Sequence, residues 1–238
     1  PLVDPPPSLS YPFWNYEDIL LFFGMGLPCL VLSVVLLEGI VWFIPVKPSR
    51  VLYFLIAQFI GYALWFASLI LLLRVRYDAP FWSSLAWVIP KQGFWRNIFQ
   101  GPMLAFAVAW LGVVLRTPNI EMPFKQLLDD RFSLMVTGVF AVSVGPLCEE
   151  LAFRGFLMPL LTRSFGVWPG ILITAVPFAL LHGPQYAWSW RHLFLLVLAG
   201  VAFGRVRHIT GSTAAATLTH ATYNLTFFSA LVVQGKDY

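Results

Sequence analysis

SLMVTGVFAVSVGPLCEELAFRGFLMPLLTRSF, residues 133–165, decides the reading of this chain. It is apolar enough and long enough to cross a bilayer core of about 30 Å at about 1.5 Å per helical residue. Yet it carries two adjacent acids, Glu149 and Glu150, and a base, Arg154, near its middle. An ionisable side chain at membrane depth costs about 2.5–3.5 kcal/mol on insertion scales, so such residues face a bundle interior and mark function.

Outward from this run, the same apolar character recurs. A first span covers about Ile19–Ile44, interrupted by Pro28 and holding one acid, Glu38; a second is Val51–Leu73, closed by Arg74 and Arg76. Further spans cover about 98–115, 167–182, 190–207 and 212–233. The chain reads as an all-α, polytopic integral membrane protein of about seven transmembrane helices, within a range of six to eight.

The composition agrees. Of 238 residues, 59% are hydrophobic and only 11% charged, far too few charges to cover a water-facing globule. The same figures exclude disorder, and two cysteines, Cys29 and Cys148, are too few for a disulfide-stapled scaffold and read as free thiols. The net charge of +4 is scattered through short loops, so it predicts topology and headgroup anchors and no nucleic-acid partner. Lys and Arg do not choose an orientation. One side holds Lys47, Arg50, Arg116, Lys125, Arg131, Arg191 and Lys236; the other holds Arg74, Arg76, Lys91, Arg96, Arg163, Arg205 and Arg207.

Between spans, residues 1–16 (Pro5, Pro6, Pro7, Tyr11, Phe13, Trp14, Tyr16) predict an irregular aromatic arm at the membrane interface. Residues 74–97 predict an interfacial loop or surface helix, and Phe124, Leu127 and Leu128 a short surface helix within 116–131. No internal repeat and no linker divides the chain.

Helical spacing sorts the polar residues. Glu150 and Arg154, four apart, share a face and can pair, whereas Glu149 is turned by about 100°. Glu149 is then free to act as a base. Phe178 and His182, and again His220 and Asn224, are each four apart on separate helices. A Glu and a His could deprotonate water while a second His and an Asn donate to the oxyanion of a hydrolysed peptide bond. The bland alternative is that these groups only tie helices together. His192 and His208, near helix ends, read as interfacial.

Glu149-Glu150-x-x-x-Arg154, Phe178-x-x-x-His182 and His220-x-x-x-Asn224 together resemble the hallmark of the CPBP family of intramembrane proteases, the CAAX protease and bacteriocin-processing enzymes. The resemblance covers about residues 133–228 and implies a four-helix catalytic core within 133–238. Residues 1–132 then hold the N-terminal arm, three transmembrane helices and interfacial loops. It implies that Glu149 is the general base assisted by His182, that His220 and Asn224 form the oxyanion site, and that Glu150, Arg154 and Phe178 support them. The expected partners are a peptide or lipidated-protein substrate and membrane lipids. No cofactor is expected; zinc on Glu and His ligands is the runner-up, set back by the absence of His-Glu-x-x-His and by Arg154 beside the acids. A Cys148 nucleophile and a serine hydrolase rank lower, the latter because Gly-x-Ser-x-Gly is missing.

Two non-proteolytic readings stay open: an immunity or scaffold protein of the same family, and a transporter using Glu38, Glu149 and Glu150 as an ion path. The compact chain and the His182-Gly183-Pro184 style of the second motif point to the bacterial cell (inner) membrane.

Overall fold

The computed structural model describes residues 10–45, 47–89, 93–120 and 130–234. In chain order the elements are α1 (Tyr16–Gly24), α2 (Gly26–Trp42), α3 (Arg50–Tyr77), a short α4 (Phe81–Ser84), α5 (Phe94–Val114), α6 (Arg131–Val142) and α7 (Val144–Glu150). A π-helical segment, Leu151–Leu157, follows, then α8 (Met158–Phe165), α9 (Val167–Leu181), a 3₁₀ turn (Gly183–Tyr186), α10 (Trp190–Thr210) and α11 (Thr213–Gln234). The described residues contain no strand.

Five stretches, Tyr16–Trp42, Arg50–Tyr77, Phe94–Val114, Arg131–Phe165 and Trp190–Thr210, are long and apolar enough to cross a membrane. With the shorter apolar α9 and the 22-residue α11, the protein is a polytopic bundle of roughly seven membrane helices.

Prolines set two internal breaks. A proline has no N–H for the carbonyl four residues back, and its ring clashes there. The residues four before Pro28 and Pro146 are Gly24 and Val142, the last residues of α1 and α6. The first span therefore bends at Met25, ahead of the proline, and the fourth bends at Ser143. At its start, α6 is capped by Asp130, whose side chain accepts from the Ser133 backbone N–H at 2.9 Å; bonds from Ser133 hold this carboxyl below the usual range.

The stretch 74–97 holds the last turn of α3, the short α4 with non-helical chain on either side, and the first turn of α5. One expectation for the connections changes. The arm before α1 grips protein rather than lipid. Trp14 is fully buried, donates its indole N–H to the Phe156 carbonyl at 3.0 Å, and stacks on the Phe156 ring at 5.0 Å. An indole needs a partner for its N–H when buried, and the widened π segment presents one. Pro5, Pro6, Pro7 and the surface helix expected at Phe124–Leu128 lie outside the described residues.

In the packing, α11 lies along α5, α10 lies between α9 and α11, α8 packs on α9, and α2 pairs with α3. The segment Val144–Leu157 runs through the centre, where Cys148, Leu151, Ala152, Phe153 and Phe156 are all buried. Outward faces such as Leu20, Leu27, Phe43, Phe106 and Trp110 are exposed apolar surface suited to lipid. Cys29 and Cys148 are both free and buried.

Candidate active site

Glu150 and Arg154 straddle the junction of α7 and the π segment, and both side chains are fully buried. Their pair closes at 2.9 Å, as the four-residue spacing predicts. A buried charge persists only when its remaining hydrogen-bonding groups also find partners. Arg154 finds some of them on two other helices, while its Nε and Glu150 Oε2 stay buried without a partner. Its second terminal nitrogen donates to the Gly200 carbonyl of α10 at 2.8 Å, and its guanidinium lies over the Phe178 ring at 4.4 Å and the Phe203 ring at 5.5 Å.

Gly200 allows this approach. A Cβ there would meet Ala175 Cβ at 3.1 Å, Arg154 Nη2 at 3.2 Å and Phe178 Cδ1 at 3.2 Å. The carboxylate of Glu150 is shared in turn. Its Oε1 also accepts from His220 Nδ1 of α11 at 2.9 Å, while Phe203 stacks on the His220 ring at 4.4 Å and 18°.

His182 caps the C-terminus of α9. That helix has 15 residues and rises about 22 Å, short of a full crossing, so the ring sits where the helix stops. Its Nδ1 bonds the Phe178 carbonyl at 2.9 Å. A carbonyl can only accept, so Nδ1 carries the hydrogen and Nε2 points away as the free end of the ring. Just beyond, Gly183 lets the chain turn tightly, because a Cβ there would strike the Trp188 ring. In the same turn, Tyr186 stacks on His192 at 5.0 Å, and burial pushes its hydroxyl pKa up.

Glu149 occupies the space these residues leave. His182 Nε2 lies 3.9 Å from Glu149 Oε1, and His220 Nε2 lies 3.8 Å from Glu149 Oε2. The Glu149 and His182 side chains are 24% and 22% exposed, against 0% for Glu150 and Arg154, so the accessible members are the two aimed at each other. Both distances exceed a direct hydrogen bond, leaving the groups grouped around a common point.

Asn224, one turn along α11 from His220, donates an amide N–H to the Ala141 carbonyl of α6 at 2.8 Å. That tie uses one of its two amide hydrogens. The other and the Oδ1 remain for further partners.

Some residues of this arrangement carried no signal in the sequence. A backbone carbonyl such as that of Gly200 is invisible in composition, and Phe203 is one aromatic among many in an apolar run. Tyr62 and Gln58 of α3 did carry one, an amide in the middle of a span. Gln58 Nε2 donates to the Tyr62 hydroxyl at 3.0 Å, so the Tyr62 O–H hydrogen is left to donate elsewhere. Tyr62 is partly buried against the central cluster and stacks on Phe140 at 6.2 Å.

Residues 131–226 match the family model described as type II CAAX prenyl endopeptidase, Rce1-like. This segment is similar to Rce1-like domains. It begins at the first residue of α6 and ends within α11, so it contains Glu149, Glu150, Arg154, Phe178, His182, His220 and Asn224. Over these residues the chain is similar to CAAX-type intramembrane proteases, and the apolar helices place it in a membrane. No curated protein and no solved structure matches the chain. Helices α1–α5, including Gln58 and Tyr62, lie outside the Rce1-like domain.

Proposed function

We propose that the protein is a glutamate-type intramembrane endopeptidase in which Glu149 activates the attacking water. The observation that carries this reading is the convergence of His182 Nε2 and His220 Nε2 on the one partly exposed carboxylate, at 3.9 and 3.8 Å. Water at that point would donate a hydrogen to Glu149 while the imidazoles fix its direction.

The chemistry then closes. Glu149 accepts the proton of water as its oxygen adds to the substrate carbonyl. An Nε2–H of His220 and the second amide hydrogen of Asn224 donate to the oxyanion, and the proton that Glu149 took from water passes to the leaving amine as the C–N bond breaks. Glu150, Arg154 and Phe178 touch no reacting atom in this scheme. They fix the His220 ring and the α7–α10 spacing. The substrate class is a prenylated or other membrane-associated peptide, and the location is the bacterial inner membrane.

The test is cleavage of a lipidated reporter peptide by purified protein. Glu149→Ala and His182→Ala should each lower the rate by about 10²–10⁴-fold while the thermal midpoint holds. Full activity in Glu149→Ala would end the general-base assignment. An inactive wild type that still protects cells from a bacteriocin would instead favour the immunity reading.

Zinc has one observation on its side: the Glu150 carboxylate orients His220 through Nδ1, as an outer carboxylate does for a metal-bound imidazole. Glu149, His182 and His220 would be its ligands, though among the described residues no three such side chains are close enough together to hold an ion. Activity that survives exhaustive chelation rules this out, and activity lost to a chelator and restored by Zn²⁺ replaces the water-only scheme.

A further inference from the structure

At the bundle end opposite the start of α6, a pocket of about 350 Å³ is lined by Tyr11, Pro12, Thr162, Arg163, Arg207 and His208, among others. Arg207 is only 7% exposed, yet its bonds go to neutral oxygens: Nε donates to Thr213 Oγ1 at 3.0 Å and Nη2 to the Tyr11 hydroxyl at 3.0 Å. Arg163 donates to the Pro12 carbonyl. Among the described residues neither arginine has a carboxylate within ion-pair distance.

Helix ends offset part of this charge. Arg163 lies in the last turn of α8, and Arg207 and His208 in the last turn of α10. Each C-terminus supplies about half a unit of negative charge. Two guanidinium charges against two half charges leave about one positive unit, and the N-terminus of α9 at Val167, on the same pocket, adds to it. A nearly buried cation without a counter-ion is costly, and arginines are suited to bind phosphate oxygens in pairs.

We propose that this pocket binds a phosphate group, held between Arg163 and Arg207 with Tyr11 and His208 at its rim. The candidate spans Arg131–Phe165 and Trp190–Thr210 both end here, which suits a headgroup position, so an anionic phospholipid is one source of that group and free phosphate the other. Bound there, the phosphate also secures the arm at Tyr11–Pro12, two residues before Trp14 docks on Phe156. The site stands apart from Glu149 and does not depend on the proteolytic reading.

The experiment uses the full chain in neutral detergent, with native mass spectrometry after adding phosphatidylglycerol or phosphatidylcholine, and separately with inorganic phosphate. Wild type should retain phosphatidylglycerol over phosphatidylcholine, and Arg163→Gln should weaken that retention roughly tenfold. Arg205→Gln, exposed two residues from Arg207 and absent from the pocket, should leave it unchanged. Arg207→Gln should act like Arg163→Gln; if it fails to fold, Arg163→Gln alone carries the result. Binding of inorganic phosphate that is lost in Arg163→Gln, without a lipid preference, assigns the site to free phosphate. A wild type indifferent to both probes, or equal losses in Arg163→Gln and Arg205→Gln, overturns the proposal.

Discussion

Arg154 and Arg207 are both buried, 0% and 7% exposed, but they are buried in opposite ways. Arg154 meets a carboxylate, a backbone carbonyl and two aromatic faces, drawn from α7, α9 and α10. Arg207 meets two hydroxyls and no acid among the described residues. The first has a full counter-charge within the fold, though its Nε and Glu150 Oε2 stay unpartnered, and so serves geometry. The second has only a helix end and neutral oxygens against its charge, and so serves a ligand.

This contrast can be broken most forcefully at Arg154. Arg154→Met strands Glu150 in the interior and should cost about 3–5 kcal/mol in detergent unfolding. The double variant Glu150→Gln/Arg154→Met should recover part of that loss; a double variant less stable than the single would mean the pair is not the source. Next comes Gly200→Ala, which crowds Arg154, Ala175 and Phe178 in a packed core and should cost about 1–3 kcal/mol. If its midpoint equals wild type, the close approach of α10 to Arg154 is not limiting.

Tyr62→Phe sharpens the boundary of the site. It removes one hydroxyl and leaves the ring, so kcat/KM should fall about tenfold, equivalent to about 1.4 kcal/mol, with the thermal midpoint nearly unchanged. Unaltered kinetics would confine the chemistry to the Rce1-like domain. The smallest effect belongs to Arg163→Gln. At an exposed position it should change unfolding stability by less than about 0.5 kcal/mol without anionic ligand, despite its effect on lipid retention.

Much of the site was legible because helical spacing is rigid. Glu150 and Arg154, Phe178 and His182, and His220 and Asn224 could be placed on common faces from residue numbers alone. Span breaks were only partly legible, since Pro28 and Pro146 act four residues upstream of themselves, at Gly24 and Val142. What joined the helices was not legible. The Gly200 carbonyl, the Phe203 stack and the grip of Trp14 on Phe156 depend on which backbone atoms face each other, and no side-chain pattern encodes that. Asn224 shows the limit from the other side. Spacing put it beside His220 but gave no hint of its tie to Ala141.

The π segment Leu151–Leu157 has a consequence for how this rod tolerates change. A π turn accommodates one residue more than an α turn over nearly the same rise, and such turns are common at functional sites. The helix therefore has separate phases on its two sides: α7 aims Glu149 at the histidines, while α8 seats Leu160 and Leu161 against the bundle. Gaining or losing a residue before Glu149 would swing its carboxylate by about 100° off target. The widened turn is where this rod can absorb a change of length, keeping the aim of one half independent of the seating of the other.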